Sequence, residues 1–327
     1  MSGSTSLDAP PPADLDAAFA QCTRLARRTG KNFYWSFLTL PADQRRDMGA
    51  LYAFMRVTDD LGDDPAEPLD RRRLAVANWR ERTAAALHGE AIDPAAPHAA
   101  ALIAFADVAR RRGIPPGLPQ DVIDGVAADL AAPPPEPGRP RVFFETAAGR
   151  DEYCYHVAGA VGLCCLHVWG CEQLSSDGGD GAAREPALAC GRAFQRTNIL
   201  RDVAEDAAAG RVYLPADRLA AFGVEPADLL GANLADVRDG EAVRQRIERL
   251  LRCEADETRA EYADAEPLFN FVSPHGRGVL HAMTRIYGEL LNRAERAGID
   301  VLSRRVRVPS WRKAAAVAGG LAARWRP

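Results

Sequence analysis

The spacing of apolar residues constrains the fold of this chain more than any other feature. Along most of its 327 residues, apolar side chains recur three and four positions apart, which is the spacing of one helix face. Alternating segments of Val, Ile and Thr between hairpin turns, the pattern of half-buried strands, are not visible. The sequence therefore predicts an all-α fold.

Two stretches interrupt the helical spacing. The proline-rich segment 131–140 cannot be helical, and the glycine-rich segment 175–181 is a connector. Because the apolar spacing resumes unchanged after both, we expect one large helical domain over 14–309, between a disordered tail at 1–13 and a basic amphipathic tail at 310–327. The predicted helices cover residues 14–29, 42–63, 68–88, 98–112, 118–131, 145–170, 184–209, 240–264 and 276–298.

The charge balance limits the partners of this chain. It has 41 lysines and arginines against 45 aspartates and glutamates, a net charge of -4, so it offers no basic field to nucleic acid. A phosphate-bearing ligand would need a local counter-charge or a metal. The N-terminal segment lacks the basic and apolar regions of a signal peptide, and no apolar run is long enough to span a bilayer. We therefore expect a cytoplasmic protein that binds no nucleic acid.

The cysteines and histidines argue against a metal held by sulfur or nitrogen. The seven cysteines form no C-x-x-C pair and stand among apolar neighbours, which is typical of reduced core thiols. The six histidines show no H-E-x-x-H or similar zinc spacing. A metal in this protein would therefore take oxygen ligands.

The first of three chemically suggestive segments is MGALYAFMRVTDDLGDD, in which an apolar helix face becomes acidic. Carboxylates on the buried side of a helix are costly unless they are paired or bound to a cation, so this face calls for a counter-ion. The alternative is a D-x-x-x-D spacing that only decorates a helix end. The face comprises Met48, Tyr52, Met55, Asp59 and Asp63, with Arg56 and Asp60 at its edge.

The second segment, FQRTNILRDVAEDAAAGRVYLP, has a polar stripe between bulky apolar flanks. An exposed helix would more often alternate acids with lysines four residues apart, and lysines are scarce in this chain. If the two acidic stripes faced each other across a helical bundle, carboxylates would line both walls of a cavity. The second stripe comprises Gln195, Asn198, Asp202 and Asp206.

Such walls would suit magnesium and a diphosphate. Magnesium prefers oxygen ligands and retains waters and substrate phosphates, so paired aspartates fit it better than thiolates do. Arg56, Arg201 and Arg211 lie beside the acids and could donate to diphosphate oxygens, whereas a surface ion pair is the alternative for each of them.

The third segment, EYCYHVAGAVGLCCLHVWG, is predicted to be an interior helix because it is nearly uncharged and rich in small residues. Tyr153 or Tyr155 could aim a phenol at a reacting carbon or stabilise a developing cation. A buried tyrosine that is only hydrogen-bonded in the core is the alternative.

Together the three segments resemble the squalene/phytoene synthase family, whose members carry a DDxxD-like box, a Y-C-x-x-V-A-G segment and an N-I-L-R-D-x-x-E-D box in this order. The resemblance runs from about Asn32 to the region of Trp311. It implies an isoprenoid synthase fold with a central active-site cavity. There, two aspartate boxes would bind a magnesium cluster, or manganese in its place, that holds two prenyl diphosphates.

The resemblance also implies roles for individual residues. Two positions depart from the family pattern without removing a carboxylate: Gly30, where many relatives carry serine, and Ala204, where glycine is common. The implied catalytic residues are Tyr153, Asp59, Asp63, Asp202 and Asp206. The implied metal ligands are Asp59, Asp60, Asp63, Asn198, Asp202 and Asp206. The implied substrate-binding residues are Tyr52, Arg56, Phe33, Gln195, Asn198, Arg201, Arg211 and Tyr213.

By the same resemblance, one prenyl diphosphate ionises to an allylic cation, which the double bond of the second attacks to form a cyclopropyl diphosphate. The N-F-Y-W opening and the short chain favour two farnesyl diphosphates, giving presqualene diphosphate and then squalene or hydroxysqualene. Phytoene from two geranylgeranyl diphosphates is the alternative, because tunnel length decides the substrate. Reduction to squalene would need NADPH, although no G-x-G-x-x-G motif is present.

Two other classes of protein compete with this hypothesis. A non-catalytic helical assembly factor or lipid-binding protein would be expected to lose its acids first, yet every box carboxylate is present. A helical nucleotide pyrophosphatase would also use acidic helices and magnesium, but it does not account for the Y-C-Y and N-I-L-R-D strings.

The C-terminal segment RRVRVPSWRKAAAVAGGLAARWRP combines basic residues with Trp311 and Trp325. This composition fits a helix lying on an anionic membrane, and it fits equally a terminal helix packed on the body. Peripheral contact with the inner face of the membrane is therefore an open hypothesis. The sequence does not indicate the oligomeric state.

Overall fold

The computed structural model describes residues 12–64, 66–131, 136–174, 181–230 and 240–324, and of residues 12–14 and 31–33 only the backbone. The predicted tail over 1–13 lies outside the described residues except for its last two positions. Trp325 also lies outside them.

The all-α prediction is confirmed, since the described residues form thirteen α-helices, one π-helical turn and a minimal two-stranded sheet. The helices are α1 (Pro12–Thr29), α2 (Lys31–Phe37), α3 (Ala42–Asp63), α4 (Leu69–Leu87), α5 (Ala99–Arg112), α6 (Gly117–Ala131), α7 (Ala147–Cys154), α8 (Ala160–Trp169), α9 (Arg184–Ala208), α10 (Ala216–Phe222), α11 (Gly240–Asp264), α12 (Pro274–Ala297) and α13 (Ser310–Ala323). The strands are β1 (Arg141–Val142) and β2 (Arg211–Val212), and the π-helical turn covers Tyr155–Gly159. Short 3-10 helices cover Pro226–Leu230, Glu266–Asn270 and Gly298–Leu302.

Every predicted helix is present, and the differences are local. Helices α2 and α10 were not predicted, because seven residues are too few to display a helical period. The helix predicted over 145–170 is divided into α7 and α8 by the π-helical turn. Such turns often occur at functional sites.

Helix α3 lies at the centre of the core and carries the first acidic stripe. Phe54 stacks on Phe105 with ring centroids 4.1 Å apart and on Trp79 at 5.5 Å, which joins α3 to α4 and α5. Trp79 Nε1 donates a 2.9 Å hydrogen bond to Thr58 Oγ1, so the buried indole has a partner. Because Thr58 directly precedes Asp59, these contacts fix the direction in which the acidic face points.

Helix α9 carries the second stripe and is held by a buried ion network. Glu254 of α11 accepts hydrogen bonds from Arg150 of α7 at 2.6 Å and from Arg196 of α9 at 3.3 Å. All three side chains are buried, and Arg196 also donates to Glu257 at 2.6 Å. Charges buried in this way are costly to leave unpaired, so the network holds α7, α9 and α11 in one relative position.

The π-helical turn lies directly on α9 because two glycines let the backbones meet. A Cβ atom on Gly191 of α9 would lie only 2.8 Å from the Cα atom of Gly159 in the turn. No side chain fits into that space. Tyr153, at the end of α7, is therefore held at a fixed distance from α9.

The small sheet joins the segment before α7 to the segment that follows α9. Strand β1 pairs in parallel with β2, with Arg141 opposite Arg211. Gly210, just after α9, has a φ of +87° and packs against the backbone of Glu136, so any other residue there would be strained. The pairing places Arg211 and the nearby Tyr213 beside the acidic helices.

Helix α13 packs antiparallel on α12. A Cβ atom on Gly278 of α12 would lie 2.9 Å from the carbonyl oxygen of Gly320 in α13, and at the other end Arg312 pairs with Glu289 at 2.7 Å. The C-terminal segment thus adopts the packed arrangement, one of the two that the sequence left open. None of the described helices has both the length and the apolarity needed to cross a membrane.

Replacing Gly191 by alanine is expected to destabilise the protein by about 1–3 kcal/mol, because the added methyl group would overlap the backbone of the π-helical turn. Gly288 of α12 is a matched control, since a Cβ atom there meets nothing within 4 Å. Gly288→Ala should instead stabilise the protein by up to about 1 kcal/mol, because alanine favours the helix. Thermal unfolding followed by circular dichroism measures both changes, and equal melting temperatures for the two variants would contradict the close approach.

Candidate active site

A cavity of about 420 Å³ opens where α3, α6, α7, α9 and β2 meet. The two predicted acidic stripes line it from opposite helices. Apolar side chains complete the lining between the acids: Val126 of α6, Val157 of the π-helical turn and Ile199 of α9. The packing of the helices therefore brings both boxes to one space.

The first wall consists of Asp59 and Asp63 of α3. They are four residues apart and so share one helix face. Asp60 is rotated by about 100° from Asp59 on the same helix. It lies outside the cavity lining and pairs there with Arg56 at 2.6 Å, where both side chains are exposed. The structure thus brings two of the three acids of the first box to the cavity.

The second wall consists of Gln195, Asn198, Asp202 and Asp206 of α9, and all four line the cavity as predicted. Asn198 Nδ2 donates to Gln195 Oε1 at 3.2 Å. Asn198 Oδ1 is buried, and no residue that the structure describes donates a hydrogen bond to it. Because an unpaired buried amide oxygen is costly, this atom favours a bound ion or ligand group.

Burial and like charges raise the pKa values of two carboxyl groups in the walls. Burial and the neighbouring Asp63 raise the pKa of Asp59 to about 7, although its side chain opens into the cavity. Burial and Asp202 raise the pKa of Asp206 to about 7. Both shifts have the same cause, since a carboxyl group that loses water beside a like charge favours its protonated form.

These residues fit a magnesium or manganese ion. The donors that the two walls offer are carboxylate and amide oxygens, which hard divalent cations prefer. Within the described ranges, no three acidic, histidine or cysteine side chains converge closely enough to hold an ion by themselves. An ion here would therefore complete its shell with water and phosphate oxygens, as magnesium commonly does.

Two of the three predicted arginines line the cavity. Arg211 of β2 reaches to within 3.9 Å of Asp63 Oδ1. Arg201 of α9 donates from Nε to Asp202 Oδ1 at 2.8 Å. Arg56 lies outside the lining. Arg201 and Arg211 are therefore the guanidinium groups placed to donate to an anion between the walls.

Of the two candidate tyrosines, only Tyr153 lines the cavity. Its hydroxyl donates to Asp129 Oδ2 at 3.3 Å, and its ring stacks on Tyr213 with centroids 5.6 Å apart. Tyr155 donates instead to Asp121 of α6. Burial and the neighbouring Tyr213 hold the pKa of Tyr153 well above its ordinary value, so the phenol stays protonated at neutral pH.

The remaining predicted substrate-binding residues have different positions. Tyr213 lines the cavity, and burial together with Asp129 raises its pKa to about 12. Tyr52 lies outside the lining and donates to Thr29 Oγ1 at 3.1 Å, which ties α3 to α1. The side chain of Phe33 lies outside the described residues.

Asp129 of α6 also lines the cavity and was not predicted. Burial and the charge of Asp63 raise its pKa to about 6. A signal was present in the sequence, because Asp129 follows Val122 and Val126 on one helix face, as Asp59 follows apolar residues in α3. The cavity thus has a third acidic side, contributed by α6.

Arg305 was not predicted either. It lies in the segment before α13, where its Nε is 3.0 Å from Asp202 Oδ1 and its Nη1 is 3.0 Å from Glu205 Oε2. No helical spacing could reveal this pair, because the two partners are far apart in the sequence. The segment before α13 therefore crosses the second wall of the cavity.

Known proteins resemble this chain in sequence and in fold. The model of the squalene/phytoene synthase family matches residues 26–312. The 15-cis-phytoene synthase of Synechococcus elongatus is 31% identical over 306 residues, which cover 92% of this chain and 91% of that protein. A solved structure of a dehydrosqualene synthase in complex with ligand superposes with a TM-score of 0.74 at 25% identity, over 96% of this chain and 98% of that one. The squalene synthase HpnC from Alicyclobacillus acidocaldarius superposes with a TM-score of 0.65 at 25% identity, over 89% of this chain and 94% of that one. The predicted isoprenoid synthase fold is confirmed.

In the absence of metal, the free energy of unfolding of Asp129→Asn should increase relative to that of wild type as the pH rises. The folded-state pKa of about 6 exceeds the ordinary 3.8. In wild type, the protonated Asp129 carboxyl therefore contributes its full stabilisation below the ordinary pKa of 3.8. This stabilisation is lost as the pH rises through the folded-state pKa of about 6. The amide keeps an acceptor for Tyr153 without acquiring charge. Relative to wild type, the variant should gain about 1–2 kcal/mol between about pH 4 and pH 8, allowing for solvent screening in the open cavity.

Urea unfolding at both pH values measures this gain. Glu90→Gln removes an exposed loop carboxylate and serves as the control, for which we expect a much smaller change with pH. Parallel stability profiles for Asp129→Asn and wild type would show that the cavity does not perturb this carboxyl group.

Proposed function

The chain belongs to the squalene/phytoene synthase family, and from this premise we propose that it couples two prenyl diphosphates head to head with the help of a divalent cation. Members of this family are prenyltransferases. The pair of acidic walls supports the proposal most directly, since Asp59 and Asp63 of α3 face Asp202 and Asp206 of α9 across one cavity. Asp202 pairs with Arg201 and Arg305, whereas burial and neighbouring acids raise the pKa of Asp59 and Asp206 to about 7, so a bound cation would relieve the repulsion that remains.

Geranylgeranyl diphosphate is our proposed substrate, and phytoene is the proposed product. Phytoene synthases of Synechococcus elongatus and Arthrospira platensis are each 31% identical to this chain over 92% of its length. The N-F-Y-W opening had favoured farnesyl diphosphate, and these relatives support the alternative better. The two substrates differ by one isoprene unit, so a single residue at the closed end of a tunnel can decide between them.

Farnesyl diphosphate is the second candidate substrate. The solved structures named dehydrosqualene synthase and squalene synthase support it, each at 25% identity. With farnesyl diphosphate as substrate, the product would be presqualene diphosphate, hydroxysqualene or squalene. Only squalene would require NADPH.

The side chains that would hold magnesium, or manganese in its place, are the oxygen donors of the two walls: Asp59, Asp63, Asn198, Asp202 and Asp206, with Asp60 a further predicted ligand at the rim. A bound cation of this kind would neutralise the charge of the leaving diphosphate. The unpaired oxygen of Asn198 supports this assignment.

The cationic side chains between the walls would bind the diphosphate. Arg211 lies 3.9 Å from Asp63 and forms a hydrogen bond with the Tyr213 side chain, and its remaining N–H donors would serve a bound anion. Arg201 shares its donors with Asp202 of the second wall and also lines the cavity. Donation from both would hold the leaving group in place while the carbon–oxygen bond breaks.

The aromatic and apolar side chains would protect the carbocation. Tyr153 and Tyr213 line the cavity and stack on each other, and behind them the Phe144 ring centroid lies 5.2 Å from that of Tyr153. Aromatic faces attract positive charge. Val126 and Val157 would exclude water, which would otherwise capture the cation as an alcohol. The protonated Tyr153 hydroxyl donates to Asp129 and so orients its ring.

Asp59→Ala and Asp202→Ala should each lower turnover roughly a hundredfold or more, because each removes charge that the cation needs. Asp64→Ala is the matched control, since this exposed residue at the end of α3 lies outside the cavity, and it should retain nearly full activity. The measurement is incubation of purified protein with Mg²⁺ and farnesyl or geranylgeranyl diphosphate, with and without NADPH, followed by mass spectrometry.

Phytoene from the C20 substrate would support the proposal, and a squalene-type product from the C15 substrate would establish the second candidate. Folded protein that turns over neither substrate would contradict both and favour a non-catalytic lipid-binding or assembly role. Diphosphate released from nucleotides would favour a pyrophosphatase.

A further inference from the structure

The C-terminal helix α13 has a mostly apolar outer face, with Ser310 at its start and the Arg312 guanidinium over the Trp311 ring. Its inner face packs on α12 through Ala316, Val317, Gly320 and Ala323. On the outer face, Trp311 is 66% exposed and Leu321 is 41% exposed. A helix face in contact with water ordinarily carries charges. After Ser310, the exposed residues of α13 are Trp311, Ala314, Ala315, Ala318, Leu321 and Ala322.

Helix α2 extends this apolar surface. It packs against both α12 and α13, and its Trp35 is 41% exposed. Leu38, the residue after α2, is 37% exposed. We call Trp35, Leu38 and the six exposed apolar residues of α13 the α2–α13 face. Of the large hydrophobic side chains exposed in the described part of the chain, only Leu74 of α4 lies outside this face, and such clustering marks an interaction surface.

The chain segment that carries α13 is basic. Between Val301 and Arg324 the chain has no acidic residue, although its net charge is -4. Arg307 is exposed, Lys313 and Arg324 are half-buried, and none of the three forms an ion pair with a carboxylate that the structure describes. The face therefore combines apolar area with free cations at its border.

We propose that the α2–α13 face lies on a lipid bilayer that carries anionic headgroups. Tryptophan and leucine would enter the boundary between headgroups and acyl chains, while Arg307, Lys313 and Arg324 would contact the headgroup phosphates. A second copy of the chain fits less well. Two copies that met through this face would bring the same cations together, without acids from the same segment to neutralise them.

The dimensions of α13 favour a helix that lies along the surface. Its fourteen residues are about 21 Å long at about 1.5 Å per residue, which is shorter than the roughly 30 Å apolar core of a bilayer. The close contact of Gly278 with Gly320 keeps its inner face on α12. The protein would therefore dock with one side and remain folded.

Docking would also place the bilayer near the cavity, a consequence that rests on the proposed function. Arg305, which pairs with Asp202 of the second wall, is six residues before Trp311. A hydrophobic substrate or product would then have a short path between the cavity and the lipid.

Sedimentation of the purified full-length chain with lipid vesicles tests the proposal, independently of any enzymatic activity. We expect binding to vesicles of phosphatidylcholine mixed with phosphatidylglycerol and roughly tenfold weaker binding to phosphatidylcholine alone. The double variant Trp311→Ser with Leu321→Ser should bind the mixed vesicles roughly tenfold more weakly than wild type. Arg307→Gln with Lys313→Gln should lose most of the preference for anionic lipid.

Leu74→Ser is the matched control, because it removes an exposed leucine that lies outside the face and should leave binding unchanged. Circular dichroism confirms that each variant is folded. Wild-type protein that stays in solution with the mixed vesicles would overturn the proposal, and so would equal losses in Leu74→Ser and the double variant. A dimer seen by analytical ultracentrifugation, and dissociated by Leu321→Ser, would show instead that the face binds a second copy.

Discussion

Repulsion between carboxyl groups is the constraint on which the rest of this structure depends. Aspartates from α3, α6 and α9 face a single cavity, and the pKa values of Asp59, Asp129 and Asp206 are all raised there by burial and by neighbouring acids. Helices that carry such charges gain nothing from approaching each other unless other contacts hold them or a cation neutralises them. Arg201 and Arg211 offset part of this repulsion, and the other contacts that hold the helices together lie outside the cavity.

Those contacts lie immediately behind the two walls. Behind Asp59, the stacked rings of Phe54, Trp79 and Phe105 anchor α3 in the core. Behind the second wall, the buried charges around Glu254 join α9 to α7 and α11, and breaking a buried pair of this kind typically costs about 3–5 kcal/mol. The backbone contact of Gly191 with the π-helical turn sets the spacing at a third point. These contacts thus fix the relative positions of the two walls, between which the proposed cation and diphosphate would bind.

The same architecture connects the charged chemistry to a hydrophobic substrate. Acids, arginines, Val126, Val157 and the stacked rings of Tyr153 and Tyr213 line one cavity, and in the proposed reaction the apolar and aromatic groups would shield the carbocation from water. The proposed membrane face includes Trp311, six residues after Arg305. Catalysis and lipid contact would therefore be linked through the short stretch of chain between Arg305 and Trp311.

Spacing along each helix was enough to predict the all-α fold, the bounds of α3 and α11, and the residues that share each acidic face. It succeeded because helical periodicity is a local property, so Asp59 and Asp63 lie on one side of α3 whatever surrounds them. It could not identify Arg305 as a neighbour of Asp202, choose Tyr153 over Tyr155, or show which side of α13 remains exposed.

Those outcomes depend on which helix meets which face, and residues distant in the sequence decide that. Gly159 and Gly191 allow one close approach, and Gly278 and Gly320 allow another. The amino-acid sequence by itself therefore determined the chemistry of each helix face. Only the tertiary structure decided which faces meet around the cavity, because helix packing depends on complementary shapes that no single segment contains.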